Sequence, residues 1–129
     1  MSLNTSPNVD LFINLVFPSF DVWDLHTLDN DVIENLIPML DKKDLEWGFL
    51  IAHFLGVDHA GHRYGPGHIE MADKLRQMNT ILKMIFDKVD KDTLVIVMGD
   101  HGMDEKGDHG GDSDQEKSAG LFLYVIIKS

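Results

Sequence analysis

The stretch MADKLRQMNTILKMIFDKVDKDTLVIVM, residues 71–98, contains a helix pattern followed directly by a strand pattern. Its first part repeats apolar residues at intervals of four, three, four, three and four positions, which predicts a long amphipathic helix over residues 69–89. The apolar stripe consists of Met71, Leu75, Met78, Leu82, Ile85 and Val89. The segment TLVIVM, residues 93–98, is apolar on both alternations and predicts a strand buried on both faces.

Apolar segments on either side extend this pattern into a sheet. WGFLIAHFLGV, residues 47–57, reads as another buried strand that ends near Gly56, and AGLFLYVII, residues 119–127, as a third. Strand, long helix and strand form a βαβ unit, whose two strands run parallel with a right-handed crossover. The predicted fold class is α/β, with a layered parallel sheet and ligands at the carboxyl ends of its strands.

The amino-terminal part predicts two shorter elements. LFINLVF, residues 11–17, has the composition of a strand that Pro18 ends. A short helix is predicted from Asp29 or Asn30, either of which is a good N-cap, until Pro38 disturbs the apolar spacing.

The composition excludes several classes of function. The 129 residues include 22 acidic and 11 basic side chains, and the formal charge of −11 opposes binding to a nucleic-acid backbone. Cysteine is absent, so there is no disulfide, thiolate ligand or cysteine nucleophile. The longest apolar runs fall short of the roughly 18 residues that a membrane-spanning helix needs. No low-complexity linker divides the chain, so we expect one domain or part of one.

Acidic residues and histidines follow both strands of the predicted βαβ unit. Asp58, His59 and His62 come directly after the first strand, and MGDHGMDEKGDHGGD, residues 98–112, begins where the second strand ends. Because neighbouring parallel strands end at the same edge of a sheet, we expect the two clusters to face each other.

Carboxylates and imidazoles together indicate a metal site. Such ligands suit zinc, or alternatively manganese, better than calcium or magnesium. Asp58 and His62 are four positions apart, so a single tight turn can bring both side chains to one ion. Gly61 gives the backbone the conformational freedom for such a turn. Five ligands exceed one four-coordinate site, so we expect two divalent ions, an arrangement used in phosphoryl transfer. The predicted ligands are Asp58, His62, Asp100, His101 and His109.

Other interpretations of these residues are open. The pair of Asp58 with His62 and the pair of Asp100 with His101 are each short patterns that occur commonly. A single histidine after a strand is more often a hydrogen-bonded loop residue than a metal ligand. His59 and His68 fit the role of donors that orient a carboxylate ligand. The acidic residues of the second cluster and just beyond it fit a solvated loop as well as a substrate site. They are Asp108, Asp112 and Asp114.

Two segments resemble the alkaline phosphatase superfamily: HFLGVDHAGHRYGP, residues 53–66, and VMGDHGMDEKGDHGGDSDQE, residues 97–116. Within it they resemble the enzymes that transfer phosphoethanolamine to glycosylphosphatidylinositol (GPI) anchor precursors. The likeness runs from Phe17 to Tyr124, most of the chain. The DHGM motif also occurs in nucleotide pyrophosphatases and phosphodiesterases of this superfamily. The GDHGGDSD motif is specific to a narrower group of its members.

The resemblance implies how the ligands divide. The positions of Asp58, His62 and His109 hold one metal ion in that superfamily, and those of Asp100 and His101 belong to the second. It also implies that this chain is the carboxyl-terminal part of one phosphotransferase domain with an alkaline-phosphatase-type sheet sandwich.

The nucleophile of that family lies upstream of the matched segments. The resemblance therefore implies that a catalytic threonine and a further metal-binding aspartate come from outside this chain. The threonines present lie in no matching context; they are Thr5, Thr27, Thr80 and Thr93. It further implies a multi-span parent protein of the endoplasmic reticulum membrane, with this domain facing the lumen and an accessory membrane subunit beside it.

Three functions are compatible with these patterns. The first is metal-dependent transfer of phosphoethanolamine from phosphatidylethanolamine to a mannose of the lipid-linked GPI glycan, with this chain inactive alone because the nucleophile is elsewhere. The second is hydrolysis by a phosphodiesterase or nucleotide pyrophosphatase of the same superfamily. The third is a non-catalytic metal-binding module.

Overall fold

Helices dominate the part of the chain that the structure, a computed structural model, describes, namely residues 21, 23–41 and 47–126. The elements in chain order are α1 (Thr27–Leu40), α2 (Gly56–Tyr64), α3 (Ile69–Lys88), β1 (Val95–Met98), α4 (Asp114–Lys117) and β2 (Leu121–Tyr124). The strand predicted at residues 11–17 lies outside the described residues. None of the helices in the described ranges is long and apolar enough to cross a lipid bilayer.

Helix α3 confirms the long helix predicted from the apolar spacing, and it ends one residue earlier than expected. His68 is its N-cap, and the Nδ1 atom of that residue accepts a hydrogen bond from the Glu70 N–H at 3.2 Å. The buried face differs from the predicted stripe at one point. Leu75 is 52% exposed, whereas Lys74, one position earlier, is buried.

Helix α1 begins earlier than predicted, so the N-cap expected at Asp29 or Asn30 is wrong. Oδ1 of Asp24 accepts hydrogen bonds from the N–H groups of His26 and Thr27, at 3.0 and 2.9 Å. Backbone N–H groups at the start of the helix thus find their acceptor in a residue that precedes the helix. Asp29 lies inside the helix instead, where its side chain makes tertiary contacts.

Residues 47–57 do not form the predicted strand. Residues 47–55 have no regular secondary structure, and α2 begins at Gly56. Oδ1 of Asp29 accepts hydrogen bonds from the N–H groups of Leu55 and Gly56, at 3.0 and 3.1 Å. A Cβ on Gly56 would lie only 2.2 Å from Oδ2 of Asp29. The glycine that suggested a strand end therefore lets α2 start directly against α1.

The sheet of the described residues has two antiparallel strands and not the predicted parallel arrangement. β1 pairs with β2 from Val95 opposite Tyr124 to Met98 opposite Leu121. The segment expected to run parallel to β1 is the irregular stretch before α2, so that pairing is absent from the described ranges. The prediction of an α/β fold is confirmed only at the level of class, as helices with a small antiparallel sheet.

β1 is half-buried on one face and exposed on the other, so the prediction of burial on both faces is wrong. On the covered face, the Phe86 ring of α3 lies 4.4 Å from the ring of Tyr124 in β2. The other face, called here the outer sheet face, exposes four apolar side chains that are paired across the two strands. They are Ile96, Met98, Leu121 and Leu123.

A buried ion pair joins α1, α2 and α3. Lys74 is 2% exposed and Asp29 is 1% exposed, and Nζ lies 3.2 Å from Oδ2. Nζ of Lys74 also donates to Oε1 of Gln77 at 2.8 Å and to the carbonyl oxygen of Leu25. The apolar core around these helices consists of two clusters, Leu25, Ala60 and Met71, and Leu36, Ile81 and Ile85. Because Asp29 also binds the first N–H groups of α2, the pair holds α2 in place.

Candidate metal centre

Helix α2 carries two of the predicted ligands, one turn apart. Oδ1 of Asp58 lies 3.5 Å from Nε2 of His62, and the two residues occupy positions i and i+4 on one face of the helix. Their side chains are 17% and 24% exposed. The spacing therefore brings the two side chains together as expected, although the turn belongs to a helix and not to a loop after a strand.

The loop between β1 and α4 brings two more histidines to the same carboxylate. Nε2 of His109 lies 3.5 Å from Oδ1 of Asp58, and Nε2 of His101 lies 3.9 Å from it. The rings of His101 and His109 are stacked with their centroids 3.8 Å apart. One donor atom from each of these three residues lies within 4.8 Å of the others. The two polar clusters of the sequence thus meet at Asp58.

Oδ1 of Asp58 indicates what kind of group fits between these side chains. The atom is buried and accepts no hydrogen bond from the described residues, although three imidazole nitrogens surround it at 3.5–3.9 Å. These separations exceed the roughly 2.9 Å of an N–H···O hydrogen bond. They are close to the separation of about 3.3 Å or more between two tetrahedral ligands, each roughly 2.0–2.1 Å from a shared ion. The arrangement fits a divalent cation.

A hydrogen bond sets the tautomer of His101. Its Nδ1 atom lies 2.8 Å from the carbonyl oxygen of Gly102, so Nδ1 carries the proton and donates it. In the neutral ring Nε2 then has the free lone pair, and this is the atom nearer Asp58. A backbone carbonyl that orients an imidazole in this way is typical of histidine ligands in metal sites.

A close approach of two backbones positions the loop that carries His109. Gly107 is buried with φ of +88°, and a Cβ on it would lie 2.1 Å from the carbonyl oxygen of Gly61. A Cβ on Gly61 would lie 2.0 Å from Sδ of Met103. Gly61 therefore does not loosen a turn, as the sequence suggested; it lies inside α2 and makes room for the loop.

Two carboxylates hold this loop in shape. Oδ1 of Asp104 accepts hydrogen bonds from the N–H groups of Asp108 and Lys106, at 2.9 and 2.8 Å. Chiefly the Asp108 N–H, and secondly the Lys106 N–H, lower the pKa of Asp104 below its ordinary 3.8. Further along, the Ser113 hydroxyl lowers the pKa of Glu116 in the capping box of α4.

Asp100 lies at the exposed edge of the cluster. Its side chain is 65% exposed, and its Oδ1 lies 3.7 Å from Nε2 of His101. His101 is nearly as close to Asp58, so its imidazole lies between the two carboxylates. On the other side of Asp100, Oδ2 lies 3.8 Å from Nε2 of His53. Sequence reasoning gave His53 no role, because a single histidine in an apolar run does not indicate a ligand.

The other histidines singled out in the sequence serve the framework. His59 is fully buried, and its Nδ1 lies 2.9 Å from the carbonyl oxygen of Asp24. His68 caps α3, and its ring stacks on Tyr64 with centroids 4.6 Å apart. The side chains of three acidic residues near the site are exposed, and their role in substrate binding stays a prediction. They are Asp108, Asp112 and Asp114.

The described threonines have structural surroundings. Thr27 begins α1, the Thr80 hydroxyl donates to the Arg76 carbonyl at 3.0 Å, and the Thr93 hydroxyl donates to Oδ1 of Asp90 at 2.8 Å. Thr5 lies outside the described residues.

Known proteins resemble this chain over most of its length. The family model described as type I phosphodiesterase / nucleotide pyrophosphatase matches residues 9–113. The chain is 56% identical over 108 residues to GPI ethanolamine phosphate transferase 3, catalytic subunit, of Homo sapiens, which is 84% of this chain and 10% of that protein. Transferase 3 of Schizosaccharomyces pombe is 53% identical over 106 residues, 82% of this chain and 11% of that protein.

A relative of another type is also similar. GPI ethanolamine phosphate transferase 2 of Saccharomyces cerevisiae is 48% identical over 110 residues, 81% of this chain and 13% of that protein. The chain spans about a tenth of the length of the curated relatives it matches. No solved structure matches it.

The comparisons confirm the resemblance to GPI phosphoethanolamine transferases. The family match also includes the whole stretch from Asp58 to His109, in which the five predicted ligands lie. The chain is a member of the type I phosphodiesterase / nucleotide pyrophosphatase family.

Proposed function

We propose that this chain supplies metal-binding residues for the transfer of phosphoethanolamine from phosphatidylethanolamine to a mannose of a GPI-anchor precursor. Relatives that carry this transferase name, at 56% and 53% identity, support the reaction class. The observation that carries the chemistry is Oδ1 of Asp58, a buried oxygen that faces three imidazole nitrogens and accepts no hydrogen bond from the described part of the chain. A buried charge of this kind calls for a cation.

Two divalent ions are proposed, with Asp58, His62 and His109 as ligands of one and Asp100 and His101 as ligands of the other. The mixed oxygen and nitrogen donors suit zinc, with manganese as the alternative. When bound, such ions lower the pKa of a nucleophilic hydroxyl and stabilise negative charge on nonbridging phosphate oxygens.

In this scheme the side chains of this chain bind and orient the two ions. The nucleophile is proposed to be a threonine from outside the chain. That hydroxyl loses its proton and attacks the phosphorus of phosphatidylethanolamine, the bond to the diacylglycerol oxygen breaks, and this oxygen takes up a proton. A mannose hydroxyl then attacks the same phosphorus and gives up its proton, and the released threonine oxygen is protonated again. On this scheme the isolated chain has no transferase activity.

The proposal includes a cellular setting. The names of the relatives, which refer to GPI, support a location at the endoplasmic reticulum, and a membrane-embedded parent protein with this domain on the lumenal face is proposed with it. An accessory membrane subunit belongs to the same proposal. The excess of acidic side chains agrees with cation binding and with a partner other than nucleic acid.

An exchange of segments tests the transferase function. Residues 21–126 replace the matching segment of the Schizosaccharomyces pombe relative, and transfer of labelled phosphoethanolamine to GPI precursors is measured in membranes. We expect activity in the chimera and its near-complete loss with Asp58→Asn or His109→Ala, because either change removes a ligand. His68→Gln, a change at an exposed histidine that caps α3, is the matched control and should stay active. Full activity of the Asp58→Asn chimera would contradict the proposal.

Hydrolysis is the second candidate, favoured by the family match over residues 9–113. Both reactions use the same ligands and differ only in whether a sugar hydroxyl or water accepts the phosphoryl group. Analysis of the labelled product separates them, since a hydrolase releases free phosphoethanolamine or phosphate to water. A purely metal-binding module, the third candidate, would bind zinc but leave the chimera inactive.

A further inference from the structure

His109, one of the residues that face Asp58, is followed by two glycines. Gly110 has φ of +89°, and an added Cβ there would have nothing within 4 Å, so the backbone borders open space. The next N–H group provides an anchor, since Gly111 donates a hydrogen bond to Oε1 of Glu116 at 2.9 Å. A Cβ on Gly111 would lie 2.6 Å from the same oxygen, so this close approach requires a glycine. The chain that leaves His109 is therefore tied to the carboxylate of Glu116.

The backbone of Glu116 reaches the second histidine that faces Asp58. Its carbonyl oxygen accepts a hydrogen bond from the Gly102 N–H at 2.8 Å, and the Gly102 carbonyl oxygen lies 2.8 Å from Nδ1 of His101. A Cβ on Gly102 would lie 1.9 Å from the carbonyl oxygen of Gln115, so α4 packs directly against this peptide. Glu116 is thus linked through one glycine to His101 and through another to the segment that carries the other histidine.

The carboxylate of Glu116 does more than cap α4. Glu116 is half-buried, whereas Gln115 and Lys117 on either side of it are exposed. Oε2 accepts hydrogen bonds from the Ser113 hydroxyl and N–H, at 2.5 and 3.2 Å, and thereby completes the capping box. The bond from the Gly111 N–H to Oε1 lies outside that box. Chiefly the Ser113 hydroxyl, and secondly the Gly111 N–H, lower the pKa of Glu116 below its ordinary 4.5, so the carboxylate is ionised at neutral pH.

We propose that Glu116 is a positioning residue that fixes the separation of the His101 and His109 imidazoles. The two rings are stacked with their centroids 3.8 Å apart, and their Nε2 atoms lie 3.9 and 3.5 Å from Oδ1 of Asp58. The inference rests on the proposed function, in which these histidines are ligands of neighbouring ions. Two-metal centres hold their ions about 3.5–4 Å apart, so the ligands of one ion need a rigid connection to those of the other. Glu116 supplies this connection through the backbone beside each ligand.

The test uses the whole 129-residue chain, freed of metal, with two measurements. Nuclear Overhauser contacts between the His101 and His109 rings report their stacking without metal, and calorimetry with zinc alone reports binding. Glu116→Ala should abolish the ring contact and weaken zinc binding about tenfold or more. Glu116→Gln, which keeps an oxygen acceptor for the Gly111 N–H, should retain most of both.

Ser113→Ala is the matched control, because it removes the hydroxyl of the capping box and leaves the bond from Gly111 to Oε1 in place. It should lower the thermal midpoint of the metal-free chain about as much as Glu116→Ala does, since both weaken the cap of α4. The ring contact and the zinc affinity should stay. An equal loss of zinc affinity in the two variants would show that Glu116 acts only as a helix cap and would overturn the inference. Wild-type ring contact and zinc affinity in Glu116→Ala would overturn it as well.

Two further results separate the inference from folding defects and from the proposed function. Gly111→Ala places a Cβ against Oε1 while both residues of the capping box remain, so it should also separate the two rings; rings that stay stacked would contradict the inference. If the wild-type chain binds no zinc, the proposed function fails. The ring contact of the metal-free chain then decides the inference, which requires its loss in Glu116→Ala and its retention in Ser113→Ala.

Discussion

Asp29 and Asp58 are both sheltered carboxylates beside α2, yet their surroundings are opposite. Asp29 accepts hydrogen bonds from the first N–H groups of α2 and pairs with the ammonium group of Lys74. Oδ1 of Asp58, within the same helix, is buried and accepts no hydrogen bond from the described residues, with imidazole nitrogens as its neighbours.

The difference separates a carboxylate that the chain itself compensates from one that we propose to bind a cation. A buried negative charge needs compensation, because desolvation is costly. The chain itself supplies the partners of Asp29, which therefore contributes to the stability of the fold. For Oδ1 of Asp58 the described residues supply no hydrogen bond, and imidazole nitrogens are its neighbours, which supports the cation proposed for this position. Removal of each carboxylate should therefore have a different effect.

Asp29→Ala should have the largest effect on folding. It leaves the ammonium group of Lys74 buried without its counter-charge and removes the acceptor for the start of α2, so we expect a loss of about 3–5 kcal/mol in the free energy of unfolding. Denaturant unfolding of the metal-free chain measures this loss. Asp41→Ala, which breaks the more exposed pair with Lys88, is the control and should cost less than about 1 kcal/mol. Equal costs for the two variants would contradict the structural role of Asp29.

Asp58→Asn should change the metal-free chain little, by about 0.5 kcal/mol or less, since no residue of the described ranges donates a hydrogen bond to Oδ1 of the carboxylate. Its effect should appear only with zinc. At a zinc concentration of a hundred times Kd the wild type gains about 2.7 kcal/mol, and the variant should lose most of this gain. Unfolding curves with and without zinc test this pair of expectations. A variant that unfolds more easily without zinc would show that Asp58 is structural, like Asp29.

Gly107→Ala should affect both stability and binding, because it moves the loop that carries His109. The positive φ and the contact with the Gly61 carbonyl disfavour any side chain, at an expected cost of about 1–3 kcal/mol. Calorimetry should also show weaker zinc binding. Gly48→Ala, at a position with nothing within 4 Å of an added Cβ, is the control and should change neither quantity appreciably. Unchanged zinc affinity in Gly107→Ala would contradict the idea that the contact between Gly107 and Gly61 positions His109 for metal binding.

Asp104→Asn should have the smallest effect, and one that depends on pH. The folded state lowers the pKa of Asp104, chiefly through the Asp108 N–H, so the ionised carboxylate stabilises the loop at neutral pH. This contribution fades as the pH falls below the ordinary 3.8 and through the lower folded-state value. The denaturation midpoint of the variant should therefore lie slightly below that of the wild type at neutral pH and approach it in acid. A difference that grows on acidification would contradict this account.

Elements with a local cause were predicted best. The spacing of apolar residues within α3 determines one helical face, so the sequence alone predicted the helix to within a residue. Residues 47–57 are also largely apolar, but apolarity does not distinguish a strand from an irregular segment, and in that irregular stretch Phe49 and Ile51 are 75% and 76% exposed. A strand needs a hydrogen-bonding neighbour, and here two of the N–H groups bind Asp29 from a helix far away in the sequence.

The proximity of several candidate ligands was predicted, but the architecture that brings them together was not. Asp58, His62 and His109 do lie together, although they were expected to meet at the end of a parallel sheet that the described residues lack. The metal itself stays a prediction. The approach of His53 to Asp100 and the close packing at Gly107 were not predicted, since both depend on neighbours that no local pattern reveals.

The sequence by itself determined which carboxylates and imidazoles are present, because residue types and short spacings decide which groups the chain carries and how a helix orients them. It also determined α3 and the pairing of Asp58 with His62 across one turn. Only the tertiary structure decided which buried carboxylate is compensated by the chain. That choice depends on contacts between residues tens of positions apart, such as Asp29 with Lys74, whose free energy no local pattern contains.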